Sequence, residues 1–184
     1  MKELSLNILD IAQNSIRANA TLLEILLTED EQTLTITVSD NGCGMKADFL
    51  RRVTDPFATT RTTRRVGLGI PFLKMEAEQT GGYLTLTSQS EEESETHGTV
   101  LTAHFYKNHI DFIPLGNVTD TVCTLIHGAD KVDIVFTHTY GDRSVTLSTK
   151  EMRAMLGEEI PLSSPEVIEW ARAYLAEGYT ELYG

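Results

Sequence analysis

A strand that ends in a glycine-flanked acid constrains this chain more than any other feature. Thr33-Leu34-Thr35-Ile36-Thr37-Val38 alternates polar and apolar residues without a break. Such a stretch is extended and buries one face only. It runs into Asp40-Asn41-Gly42-Cys43-Gly44-Met45. A carboxylate fixed at a strand end can accept a hydrogen bond from an exocyclic amine. Gly42 and Gly44 let the backbone approach a flat ring closely. Asp-Asn-Gly is also ordinary turn chemistry, so this element gains meaning only from its neighbours.

The first neighbour is a helix over residues 2–18. Leu4, Ile8, Ile11 and Ser15 follow 3–4 spacing, and Leu9, Ala12 and Ile16 widen the stripe. The opposite face carries Asn7, Asp10, Asn14 and Arg17. Asp10 and Asn14 are four apart and share a face. An amide oxygen is a hard neutral donor for Mg²⁺, which keeps several waters and binds phosphates alongside. A carboxylate one turn away can orient or deprotonate a water or hydroxyl.

The second neighbour is Asp55-Pro56-Phe57-Ala58-Thr59-Thr60-Arg61, followed by Gly67-Leu68-Gly69-Ile70 at the start of a helix expected over Gly67–Thr80. Glycines before a helix expose N–H groups at the positive end of its dipole, a natural phosphate cradle. Thr54–Val66 has little apolar periodicity and reads as a mobile loop. Arg51, Arg52, Arg61, Arg64 and Arg65 supply a third of the 15 Lys and Arg residues. Their clustering around Thr-rich and Gly-rich sequence points to phosphate handling.

In this order the elements resemble the N, G1, F and G2 boxes of the gyrase–Hsp90–histidine-kinase–MutL superfamily, the Bergerat-fold ATP-binding proteins. Asp55–Ile70 looks like the Pro-Phe-x-Thr-Thr-Lys lid of histidine kinases, with Arg61 in place of Lys. Gly98-Thr99 resembles the Gly-Thr of the last box. The resemblance covers residues 2–106 and implies a role for each matching position. Asp40 and Thr99, with an ordered water, would recognise adenine. Gly42, Gly44, Met45, Phe57, Leu68 and Ile70 would contact the nucleotide. Thr59, Thr60, Arg61, Gly67 and Gly69 would cradle the phosphates, and Arg17 would help neutralise them. Asn14 would hold Mg²⁺, and Asp10 would act as general base or water orienter. Two departures stand out. Asp10 is one methylene shorter than the Glu of many relatives. The lid has six residues between Thr60 and Gly67, as in kinases rather than gyrase or Hsp90.

The implied fold is an α/β (α+β) two-layer sandwich: a mixed, largely antiparallel sheet with helices on one face. Residues 1–106 would form the ATP-binding domain. Residues 107–184 would add a small α/β accessory unit of order αββαα. Its signals are Val118, Val122, Leu125 and Ile126 at helical spacing, strands at Val132–His138 and Ser144–Ser148, a helix at Thr149–Leu156, and a last helix opening at Ser164-Pro165. Val167, Ile168, Ala171, Tyr174 and Leu175 form the stripe of that last helix.

Bulk properties narrow the function. The net charge of −12 opposes bulk nucleic-acid binding. No apolar run approaches the ~18 residues of a membrane span, and Met1-Lys2-Glu3-Leu4 lacks a signal peptide's apolar core. The expected location is cytoplasmic, with no membrane insertion. Cys43 and Cys123 form no CxxC pair and read as reduced thiols. No histidine precedes His97, and the first box begins ten residues from Met1. The expectation is a stand-alone histidine-kinase-like ATP-binding protein, a kinase or ATPase acting on a partner protein in trans. The alternatives are a non-catalytic ATP-gated interaction switch and an anti-sigma-type serine kinase.

Overall fold

The computed structural model describes residues 3–54, 69–129, 131–157 and 159–184. The described elements run α1 (Leu4–Arg17), β1 (Leu22–Glu29), β2 (Thr33–Asp40), α2 (Ala47–Val53), α3 (Gly69–Gln79), β3 (Tyr83–Gln89), β4 (Gly98–Tyr106), α4 (Val118–Gly128), β5 (Asp133–Tyr140), β6 (Arg143–Ser148), α5 (Thr149–Leu156) and α6 (Pro165–Tyr183). The six strands form one sheet in the order β3-β4-β2-β1-β5-β6. All pairs are antiparallel except β1 with β5. The result is the mixed, largely antiparallel α+β sandwich that the sequence implies.

Register puts most of each strand's apolar residues on one face. Ile25 pairs with Val38, Val38 with Leu101, and Ile25 with Phe136. Because side chains alternate along a strand, this alignment makes one continuous apolar surface. Leu4, Ile8, Ile11 and Ala12 of α1, Leu73 and Ala77 of α3, Val122 and Leu125 of α4, and Ala171 and Leu175 of α6 join it in a single core. Each helix therefore buries its apolar stripe against the sheet or a neighbouring helix.

Residues 107–184 extend the same sheet and core. Leu23, Ile25 and Leu27 of β1 lie opposite Ile134, Phe136 and His138 of β5. The segment entering α4 also completes α1. Glu3 offers no side-chain cap. Instead Leu4 N–H donates to Pro114 O at 3.0 Å and Ser5 N–H to Leu115 O at 2.8 Å, which satisfies first-turn donors that a helix leaves open.

The last helix departs from its sequence reading in two details. Pro165 occupies the first turn as expected, but the Ser164 side chain makes no cap bond. Tyr174 is 42% exposed rather than part of the buried stripe. Its ring stacks on Trp170, and its hydroxyl donates to Thr146 O on edge strand β6 at 3.0 Å. A phenol has a polar end that seeks a partner, and the strand edge supplies one.

Glu29, at the end of β1 away from Asp40, ties α6 to the sheet. It meets His138 Nε2 at 3.1 Å and Lys107 Nζ at 2.6 Å, and it accepts from Tyr183 Oη at 2.7 Å. His138 is fully buried, and its Nδ1 lies 3.0 Å from the Tyr179 hydroxyl. Burial pushes the Glu29 carboxyl up. The hydrogen bonds from His138, Lys107 and Tyr183 and the Lys107 charge outweigh it and bring it down to about 2. Burial and the Glu29 charge push both tyrosine hydroxyls well above their ordinary range.

Candidate functional site

The other end of the sheet gathers the chemistry. Asp40 ends β2, opposite Thr99 of β4, which itself lies opposite Ser88 of β3. These three residues share the parity of Val38, Leu101 and Leu86, so their side chains point to the helix side of the sheet. Asp40 is held twice. Oδ2 accepts from Ser15 Oγ at 2.6 Å, and Oδ1 accepts from Gly42 N–H at 2.9 Å. Ser15 sits one residue past Asn14 on α1 and is buried. The Thr99 hydroxyl lies 2.9 Å from Ser88 Oγ, which also bonds Gly98 O at 2.8 Å.

The loop after Asp40 is fixed along its length. Asn41 Oδ1 accepts from the N–H groups of Thr21 and Leu22. Gly42 O lies 2.6 Å from His97 Nδ1. Cys43 N–H donates to Ala18 O at 2.8 Å, and Met45 N–H to Ser88 Oγ at 2.9 Å. Gly44 has φ +65°, and a β-carbon there would run into Gln89 O, so this turn requires glycine. Cys43 and Cys123 are free thiols.

Helix α1 places Asn7, Asp10 and Asn14 along one face. Arg17 follows at the exposed end and donates to Asn14 Oδ1 at 3.1 Å. Asn14 Nδ2 is buried with no hydrogen-bond partner among the described residues. The Asp10 carboxylate lies against Gly69 so closely that α3 has no room there for a β-carbon. Two turns along α3, the buried Glu76 accepts from Asn7 Nδ2. Helices α1 and α3 are thus coupled by one close contact and one buried polar contact.

The sequence-derived set divides accordingly. Asp10, Asn14, Arg17, Asp40, Gly42, Gly44, Met45, Gly69 and Thr99 fall on α1, on the loop after β2, on the adjoining strand ends and at the start of α3. Ile70 packs into the core at 6% exposure. The loop at 54–66 and Phe57, Thr59, Thr60, Arg61, Gly67 and Leu68 lie outside the described residues, apart from Thr54. Sequence reasoning missed Ser15, Ser88, His97 and the Asn7–Glu76 pair. Ser15 left one signal, a hydroxyl inside an apolar stripe. Ser88 and His97 left none.

The donor set suits a magnesium–nucleotide complex. Asn14 offers an amide oxygen, a hard donor for Mg²⁺, and Asp10 a carboxylate one turn away that can orient water. Among the described residues no cluster of His, Cys, Asp and Glu forms an all-protein metal cage. Mg²⁺ needs none where phosphates supply the remaining oxygens.

Comparison with known proteins returns one family. The model for histidine kinase-, DNA gyrase B-, and HSP90-like ATPases matches residues 2–109. Sporulation kinase A of Bacillus subtilis is 34% identical over 70 residues, 38% of this chain and 11% of that protein. The tetrathionate sensor histidine kinase TtrS of Salmonella typhimurium is 31% identical over 96 residues, 52% of this chain and 16% of that protein. The chain thus spans less than a fifth of these relatives' length. Among solved structures, the N-terminal domain of a DNA repair protein matches with TM-score 0.59 at 15% identity, over 86% of this chain and 58% of that one. The Aquifex aeolicus MutL ATPase domain complexed with ADP matches with TM-score 0.52 at 14% identity, over 80% of this chain and 63% of that one. At those identities the structural likeness is one of fold.

Proposed function

Because this chain belongs to the histidine kinase-, DNA gyrase B-, and HSP90-like family of ATP-binding kinases and ATPases, we propose that it binds ATP with Mg²⁺ and uses it on a partner protein. One observation carries the reading. Asp40 is an acceptor pinned by Ser15 and Gly42 at the end of a buried strand, in one row with Thr99. A carboxylate held this way pays little reorganisation cost when an exocyclic amine docks.

Asp40 and Thr99 recognise adenine, and Gly42, Gly44 and Met45 line the ring. Gly69 and the start of α3 face the phosphates; Phe57, Thr59, Thr60, Arg61, Gly67, Leu68 and Ile70 keep the nucleotide-binding role that the sequence resemblance implies. Asn14 would hold the metal through its amide oxygen, and Arg17, which donates to that oxygen here, would turn to phosphate. Mg²⁺ supplies positive charge that offsets the phosphate oxygens. Asp10 orients or deprotonates the attacking group. The partner, the phosphoryl acceptor and a cytoplasmic setting belong to the same proposal.

A non-catalytic switch is the second reading, and Asp10 favours it. Its carboxylate is one methylene shorter than Glu and already lies against Gly69. Calorimetry with ATP, with and without Mg²⁺, tests the pocket. Asp40→Asn should lose at least tenfold in affinity, about 1.4 kcal/mol, and an unaffected mutant removes the adenine assignment. Asp10→Asn should bind ATP nearly as wild type yet release no phosphate. If wild type also releases none, the switch stands instead.

A further inference from the structure

The face of the sheet turned away from the helices belongs to no nucleotide chemistry, and its composition is unusual for so acidic a chain. Its central row runs across all six strands as Thr85, Thr102, Thr37, Leu26, Thr137 and Thr146. Thr37 and Thr102 hydroxyls lie 3.3 Å apart, as do those of Thr137 and Thr146. One row on, Thr35 Oγ1 meets His104 Nδ1 at 2.9 Å. Hydroxyls that pair with one another within the sheet satisfy part of their hydrogen-bonding need without water. Leu26 at 40% exposure and Val100 at 43% add apolar area. Along these strands only Glu24 and Asp133 carry charge on this face. Asp133 is ion-paired with Arg153, and Glu24 accepts from Ser39.

We propose that this face binds a second copy of the chain, sheet to sheet. Three arguments select that occupant. First, a chain of net charge −12 repels its own copy wherever carboxylates are dense, and this nearly uncharged face is where repulsion is least. A partner of opposite charge would bind the acidic surfaces instead. Second, the central row of short side chains makes a flat surface, flanked at the β3–β4 end by the ring cluster of Tyr83, His104 and Tyr106, and a flat surface of this kind is complemented by its own copy across a two-fold axis. Stacked sheets of this kind align within about 30° at roughly 10 Å. Third, the area suffices. Six strands at ~4.8 Å spacing, each about seven residues long, present roughly 600–700 Å². Two such faces remove roughly 1,200–1,400 Å², the size of a specific interface. The helix sides, with both nucleotide pockets, face outward in this arrangement.

Sedimentation velocity of the full chain over roughly 1 to 100 µM tests the proposal. Wild type should shift toward twice the monomer mass as concentration rises. The dimer fraction should hold or increase between low and high salt, because screening relieves like-charge repulsion. Leu26→Glu should be monomeric at every concentration with unchanged circular dichroism. Thr137→Glu, at a half-buried surface position, should do the same and decides the matter if Leu26→Glu misfolds. A wild type that stays monomeric throughout, a dimer that dissociates with salt, or a dimer indifferent to both folded variants overturns it.

Discussion

A hydroxyl inside an apolar helix stripe must find an acceptor, and Ser15 finds Asp40 at 2.6 Å. The bond spans from α1 to the end of β2, so one small residue aims the proposed adenine acceptor. Hydrogen bonds to a charged group contribute about 1.5–3 kcal/mol. Ser15→Ala leaves Asp40 with Gly42 N–H and with solvent, and stability should fall by only about 1 kcal/mol. Nucleotide affinity should fall about tenfold, measured by calorimetry, because the carboxylate is then free to turn. Asp40 and Thr99 could be placed from sequence, since strand alternation and a glycine-rich end mark both. Ser15 could not be assigned this task. Helical spacing reads a serine there as filler, and its partner is 25 residues away. The Asn14 amide shows the same limit: its face was legible, but not the engagement of its oxygen by Arg17.

Helices α1 and α3 meet through Asp10 against Gly69 and through Asn7 bonded to Glu76. This pairing decides where the proposed base stands relative to the phosphate-facing helix. Gly69→Ala separates geometry from stability. Alanine favours a helix by up to about 1 kcal/mol over glycine, and the clash falls mainly on the far end of the Asp10 side chain. Thermal unfolding should therefore move by only a few degrees. Nucleotide turnover should drop at least tenfold as Asp10 rotates away, read by phosphate release alongside the melting curve. The first helix was legible from its 3.6-residue periodicity and the second from the glycines at its start. Their mutual approach was not. A Gly-x-Gly before a helix reads as a phosphate loop, and nothing in it says that the second glycine also makes room for a carboxylate.

Across the whole molecule, residues 107–184 share one sheet with the first hundred. Alternation predicted β5 and β6 as strands, yet periodicity carries no information on which edge a strand joins. The Glu29 cluster is one product of that assembly. The carboxyl of Glu29 is lowered from an ordinary 4.5 to about 2 in the folded chain. Its contribution is thus complete above about pH 4.5 and disappears as pH falls toward 2. After allowance for solvent screening this amounts to about 1–2 kcal/mol. Urea midpoints at pH 7, 4 and 2.5 should show wild type losing that much more than Glu29→Gln over the acid range, and parallel curves would refute the assignment. The parallel pairing of β1 with β5 also sets a clock. Leu22 and Asp133 are register partners 111 positions apart. At roughly 5–20 residues per second of synthesis, the flank of β1 waits roughly 5–20 s for its neighbour to emerge. During that interval β1 is a bare strand edge, the kind on which nascent chains join one another. Chaperone dependence and yield should therefore respond to how quickly the ribosome delivers residues 30–140.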